Sequence, residues 1–484
     1  MGVVIAIDAG TTGIRSRAVF DTGPSPITSY QEFTQHFPQP GWVEHDVTEI
    51  WDAVLRTIQD VIGQINEPIA AIGITNQRET VVAWSRKSSK PYGSAIVWQD
   101  RRTAQRCDDF TTHSQLVRNQ TGLVVDPYFS ATKFEWLLKN REIKVDDDLC
   151  LGTIDAWIIF KLTGGKAFVT DPTNASRTML YDITEMKWST ELCELFNVPV
   201  KSLPEVLPSS SRFGLTTQHG TLPSGIPISG VAGDQQAALF GQACFDPGAT
   251  KNTYGTGSFV LMNVGTTCPA PQNGILTTVA WQLGSQQPVY ALEGAIFATG
   301  AAIQWLRDGL NIIDHAHEVG PLAQSVENSG GVVVVPAFAG LGSPWWDPYA
   351  RGAIFGITRG TTRAHIARAT IESIVFQTRD VVESMSAASG VIIKDLRVDG
   401  GAAVVDFMLQ LQADHLGVAV LRPTQLEATA MGAAYLAGLA EKVWGSTQEI
   451  SQAWQLDKKF EPATKASGYE SWQLAVKRSM NWIN

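Results

Sequence analysis

Cysteine is scarce in this chain of 484 residues: Cys107, Cys150, Cys193, Cys244 and Cys268 are odd in number, far apart, and form no CxxC pair. That spacing excludes a disulfide framework and a cysteine zinc site, and it suits a reducing compartment, the cytoplasm. Long hydrophobic runs are missing too. No window approaches the roughly 18 apolar residues of a membrane span, so no membrane insertion is expected. The opening Met1-Gly2-Val3-Val4-Ile5-Ala6-Ile7-Asp8 lacks the basic region and cleavage site of a signal peptide and reads as a buried strand. Basic charge is outweighed, with 37 Lys and Arg against 47 Asp and Glu and a formal net charge of −10, which excludes a nucleic-acid footprint. The histidines have no metal spacing, and His315-Ala316-His317-Glu318 reads as a solvated helix face. Neither a P-loop nor a Rossmann glycine pattern occurs. No strict repeat of about 20 to 50 residues is visible, which excludes solenoids and propellers. The partners left are small molecules.

What is present alternates. Short apolar runs at 3–7, 71–74, 226–231, 332–335 and 396–398 end in Gly, Asp or Asn and mostly precede longer helical stretches, the pattern of an α/β protein. The chain exceeds the roughly 250 to 300 residues that one core sustains, so at least two domains are expected. Cys244-Phe245-Asp246-Pro247-Gly248 breaks a helix-like segment, which places the division between residues 1–246 and 247–484. Each part opens on a small-residue turn, Asp8-Ala9-Gly10-Thr11-Thr12-Gly13 and then Tyr254-Gly255-Thr256-Gly257-Ser258, as an internal duplication would.

Both turns have two readings. Their glycines let backbone N–H groups approach a phosphate while Thr hydroxyls add donors, or each is simply a β-hairpin. A third site, Asp399-Gly400-Gly401-Ala402, is either a tight strand-to-helix turn or a flat backbone surface for a nucleotide. Asp234 follows a strand-like run and precedes Gln235-Gln236-Ala237, so it caps a helix, accepts a proton from a substrate hydroxyl at the crevice, or does both. Arg78 and Glu79 pair a donor with an acceptor that could grip neighbouring hydroxyls, or form a surface ion pair. Trp98 and Tyr128 could wall a small polar substrate or belong to the core.

Two long motifs give these residues a context. Tyr128-Phe129-Ser130-Ala131-Thr132-Lys133-Phe134-Glu135-Trp136-Leu137-Leu138-Lys139-Asn140 and the segment from Gly352-Ala353-Ile354-Phe355-Gly356-Ile357 to Ala369-Thr370-Ile371-Glu372 resemble the two signatures of the FGGY carbohydrate kinases. The likeness runs nearly end to end. Gly41-Trp42-Val43-Glu44-His45-Asp46, Asp171-Pro172-Thr173-Asn174-Ala175-Ser176-Arg177-Thr178 and Ala232-Gly233-Asp234-Gln235-Gln236 resemble the branch that acts on glycerol. The resemblance implies two actin-like, ribonuclease-H-like domains flanking a central cleft, with glycerol held mainly by the first and ATP by the second. It implies phosphorylation of glycerol to sn-glycerol 3-phosphate with ATP and Mg²⁺, by a homodimer or homotetramer.

Position by position, the resemblance makes Arg78, Glu79, Tyr128, Asp234 and Gln235 hydrogen-bonding partners of glycerol, with Asp234 the base. Trp98 and Phe259 match the aromatics along its carbon skeleton. Thr11, Thr12, Gly13 and Arg15 match the first phosphate loop, Thr256 the second, and Gly300, Gln304 and Gly401 the remaining nucleotide contacts. Asp8 matches the residue that holds Mg²⁺ through water. Ala9 stands where the family commonly has Gln, Gly13-Ile14 where it has a Ser pair, and Val405 where it often has an Asn near the adenine. The rival readings are a kinase for a larger polyol or ketose such as xylulose, and a non-catalytic actin-like nucleotide-binding module.

Overall fold

The apolar run Val3–Ala9 (β1) is buried almost throughout and forms the middle of a sheet. It pairs antiparallel with Gly13–Phe20 (β2), which pairs in turn with Gly23–Glu32 (β3). On its other side β1 runs parallel to Ile69–Asn76 (β4), reached through the helix Val47–Ile62 (α1). Val47, Ile50, Trp51, Val54, Ile58 and Val61 recur every three or four residues of α1 and give it one buried face. The Asp46 carboxylate caps its start by accepting the N–H of Thr48. Ser210–Leu215 (β5) and Pro227–Gly233 (β6) complete a six-stranded sheet ordered β5-β6-β4-β1-β2-β3. The helix Asp234–Gly241 (α2) follows β6 directly. The computed structural model describes residues 2–463 and 467–483; Met1, residues 464–466 and Asn484 lie outside the described residues.

A second sheet repeats the pattern. Ala249–Tyr254 (β7) pairs antiparallel with Ser258–Gly265 (β8), with Leu276–Trp281 (β9) and Val289–Ile296 (β10) beyond it. On its other side β7 runs parallel to Asp395–Asp399 (β11), reached through the 27-residue helix Arg363–Ser389 (α3), which ends at Gly390 with φ 71°. Val420–Pro423 (β12) and Leu456–Phe460 (β13) finish the order β9-β10-β8-β7-β11-β12-β13. Asp406–Leu416 (α4) joins β11 to β12. In both sheets the opening strand turns back into its neighbour and receives a parallel strand after a helix, as expected for a mixed α/β chain with a duplicated plan.

One helix does not stay with its own sheet. Ala428–Ala440 (α5) packs against α2 and the strands β1, β4 and β6 of the first sheet. Glycines let it come that close. A Cβ on Gly73 of β4 would stand 2.1 Å from the Ala433 carbonyl oxygen, and one on Gly432 would stand 1.8 Å from that of Ala237. Each sheet carries its own apolar core, and a further cluster joins the two through Ala232, Leu239 and Phe240 with Leu261, Trp281 and Tyr435. Among the described residues, no helix is long and apolar enough to cross a membrane.

Candidate active site

Both small-residue turns are hairpin turns. In the first, Gly10 N–H bonds the Gly13 carbonyl at 3.0 Å. The turn is braced from behind, where Gln77 Nε2 donates to the Gly10 carbonyl (3.1 Å) and Gln35 Nε2 to that of Thr11 (2.9 Å). Buried His45 joins the two amides, with Nε2 2.7 Å from Gln35 Oε1 and Nδ1 3.3 Å from Gln77 Nε2. Thr12 is exposed, and Thr11 Oγ1 accepts the indole N–H of Trp98 at 3.0 Å. Arg15 pairs with Glu427 and lies over the Tyr30 ring.

In the second turn, Gly255 N–H bonds the Gly257 carbonyl at 2.8 Å, and the Thr256 carbonyl accepts the N–H groups of Thr299 and Ala301. Gly300 N–H reaches the Gly255 carbonyl at 3.0 Å, and any Cβ on Gly300 would sit 2.6 Å from that oxygen. Gly400 packs on Tyr254 with φ 86°, so Thr256, Gly300 and Gly401 converge around one loop. Gln304 is exposed at the end of the short helix Gly300–Gln304. Val405 leans on the apolar core of the second sheet, a packing that suits Val where the resembling family often has Asn.

Asp8 is the last residue but one of β1, in register with Arg15 and Thr75. Burial, and then the Asp234 carboxylate, push its carboxyl up to about 7. Asp234 is the first residue of α2 rather than its cap: Gly233 occupies the cap, and the carboxylate accepts the N–H of adjacent Gln235 at 2.7 Å. Burial raises its pKa, while Arg78 and Lys251 pull it down. Glu79 sits at φ 62°, a strained backbone for a non-glycine residue, and strain of this kind collects at functional sites. Trp98 and Tyr128 meet edge to face at 5.6 Å. Phe259, on β8, belongs to the apolar seam between the sheets.

Arg78 and Glu79 are not a surface pair. Both side chains are about 2% exposed and belong to a buried ionic network. Arg78 contacts Glu293 with Nη1 (2.5 Å) and Nη2 (3.2 Å), Gln236 Oε1 with Nη1 (3.2 Å) and the Tyr128 hydroxyl with Nη2 (3.2 Å). Its Nε faces Asp234 Oδ1 at 3.4 Å and Glu79 Oε1 at 3.7 Å. Arg177 donates to Glu79 (2.7 Å) and to Glu293 (2.8 Å). Burial opposes ionisation of Glu293, yet Arg177 and Arg78 outweigh it and hold the carboxyl down at about 2.

Lys251, buried on β7, donates to the Gln235 side-chain carbonyl and to Thr253 Oγ1, which leaves the Gln235 amide nitrogen free to donate. Burial pushes the Lys251 ammonium down to about 8 against the pull of Asp399 and Asp234. Sequence reasoning gave Glu293, Arg177, Lys251 and His45 no role. The available signal was a lone charge inside an apolar strand, as in Ala291-Leu292-Glu293-Gly294.

Residues 3–241 match the N-terminal domain of the FGGY family of carbohydrate kinases, and residues 250–441 match its C-terminal domain. The chain belongs to the FGGY family of carbohydrate kinases. A family member named glycerol kinase from Pseudothermotoga lettingae is 51% identical over 99% of this chain and 99% of its own. The solved glycerol kinase of Plasmodium falciparum with ADP superposes at a TM-score of 0.94 with 35% identity, covering 99% of this chain and 98% of that one. A xylulose kinase from Lactobacillus acidophilus superposes at 0.87 with 22% identity, over 99% of this chain and 97% of that one, a likeness of fold alone.

Proposed function

We propose that the protein transfers the γ-phosphoryl group of ATP to a terminal hydroxyl of glycerol, giving sn-glycerol 3-phosphate and ADP. The observation that supports it best is the meeting of Asp234, Glu79, Tyr128 and the Nε edge of Arg78 at the end of β6, a compact set of donors and acceptors sized for a small polyol. Relatives of matching length at 51% identity bear the name glycerol kinase, which favours glycerol among the family's substrates.

Asp234 takes the proton as the hydroxyl oxygen attacks the γ-phosphorus and the bond to the β,γ-bridging oxygen breaks. Arg78, Glu79, Tyr128 and Gln235 orient the polyol, with Trp98 and Phe259 against its carbons. Thr11, Thr12, Gly13, Arg15 and Thr256 face the phosphates. Gly300, Gln304, Gly401 and Val405 line the nucleotide side. Mg²⁺ prefers hard oxygen ligands and usually takes one or two carboxylates with substrate phosphates. Asp8 fits that ion, since burial, and then the Asp234 carboxylate, raise its pKa, and a divalent cation would offset both. Bound there, Mg²⁺ would neutralise charge on the phosphates.

The same reading divides the chain into a polyol-side domain, 1–246, and a nucleotide-side domain, 247–484. It carries a cytoplasmic location and assembly as a homodimer or homotetramer. A coupled ADP-release assay over glycerol, xylulose, ribulose, gluconate and no polyol tests it. Glycerol is expected to give the highest kcat/KM; a preference for another polyol, or no release with any, would reject the reading.

A further inference from the structure

Of the buried charges that phosphoryl transfer leaves without a task, Glu293 and Lys251 cross from the second sheet to the first, and Glu293 takes the larger share of partners there. Glu293 stands on β10 between apolar neighbours, with no exposed surface, and its carboxylate receives two guanidiniums of the first half of the chain. A planar guanidinium offers two forked edges, the end with Nη1 and Nη2 and the side with Nε and Nη2. Glu293 occupies the end edge of Arg78. Gln236 takes a further Nη1 contact, and its own amide is fixed by a bond to Thr278 Oγ1 at 3.0 Å.

The side edge is what remains, and it looks onto the Tyr128 hydroxyl, Asp234 and Glu79. Turning the end of Arg78 toward a substrate instead would leave a buried carboxylate short of a partner, which is strongly unfavourable. Through Arg177 the same carboxylate also sets Glu79, because Arg177 Nη2 binds Glu293 while its Nε binds Glu79.

We infer that Glu293 is a positioning residue for polyol recognition, supplied by the opposite sheet: it fixes Arg78 end-on, so that the Nε–Nη2 edge faces two neighbouring hydroxyls, and it sets the Glu79 carboxylate through Arg177. The inference rests on the glycerol reading above. The polyol site is therefore incomplete without the second sheet, and its donor edge is built before substrate arrives.

The test uses the full chain with Glu293→Gln and Glu293→Asp. Glycerol KM and kcat are measured by the coupled assay, ADP affinity by calorimetry, and folding by thermal unfolding. Both variants are expected to hold ADP within about twofold of wild type while glycerol KM rises about tenfold or more and kcat falls less, the split expected when binding contacts are lost. The Asp variant keeps the charge one methylene short, so it tests reach even if the Gln variant fails to fold. A folded variant of either kind with wild-type glycerol KM, or an equal loss of ADP and glycerol affinity, would overturn the inference. Wild-type protein that transfers nothing to glycerol would instead bring down the glycerol reading, and this inference with it.

Discussion

Asp234 opens α2 just past a buried strand, with its carboxylate drawn two ways, upward by burial and downward by Arg78 and Lys251. Asp234→Asn keeps the shape and removes the proton acceptor, so kcat is expected to fall by about 10² to 10⁴ with an unchanged circular dichroism spectrum. A near-normal kcat would remove Asp234 from the role of base. Arg78→Lys replaces a fork by a point charge and leaves Glu293 half-paired. It is expected to raise glycerol KM and to destabilise the fold by about 3–5 kcal/mol, read by urea unfolding. His45 carries a pH dependence. Burial first, then His36, lowers its pKa from 6.5 to about 4, so the unfolded chain takes up the proton before the folded one does. Its contribution is complete above about pH 6.5 and is lost as pH falls toward 4, at about 1.4 kcal/mol per unit. Urea midpoints of wild type and His45→Gln at pH 7.5 and pH 5 measure this; wild type should lose more, and equal losses would clear His45. Of the residues proposed to carry the chemistry, Arg78, Glu79 and Asp234 were legible because each lies just past a strand, in a motif, and Asp8 because it stands next to the end of one. Glu293 and Lys251 were not, because a charge within a strand acquires its partners from another sheet.

The helix α5 is the element whose place the sequence conceals. Ala428-Thr429-Ala430-Met431-Gly432-Ala433-Ala434 is small on nearly every side and buried over most of its length, so no single apolar face announces a partner. Its seat is made by glycines on opposed surfaces, Gly73 on β4 and Gly432 on the helix itself. Gly73→Ala would drive a Cβ into the Ala433 carbonyl. A loss of about 1–3 kcal/mol is expected from overpacking, seen as a lower denaturation midpoint. Because α5 lies across β1, β4 and β6, whose ends carry Asp8, Arg78 and Asp234, activity should fall with it. The hairpins were easier: Asp8-Ala9-Gly10-Thr11-Thr12-Gly13 reads as a turn from its own residues.

At the scale of the molecule, Glu293 and Lys251 reach from the second sheet to Arg78 and Gln235 of the first, so the two proposed ligands should bind cooperatively. Glycerol and ADP together are expected to raise the unfolding temperature by more than the sum of their separate shifts, with a coupling of about 1–3 kcal/mol. Additive shifts would mean that the sheets bind independently. A xylulose kinase shares this fold at 22% identity, so the outline of the molecule does not select the polyol. The amino-acid sequence by itself determined the alternation of strands and helices, the duplicated turns and the motif residues at strand ends, because these follow from local periodicity and local turn chemistry. Only the tertiary structure decided that Arg78 is held by its end and offers its side, that His45 braces the first turn, and that a helix from beyond residue 427 closes the first sheet. Those facts depend on groups brought together from more than 200 positions apart in the case of Arg78 and Glu293, a distance over which no spacing rule operates.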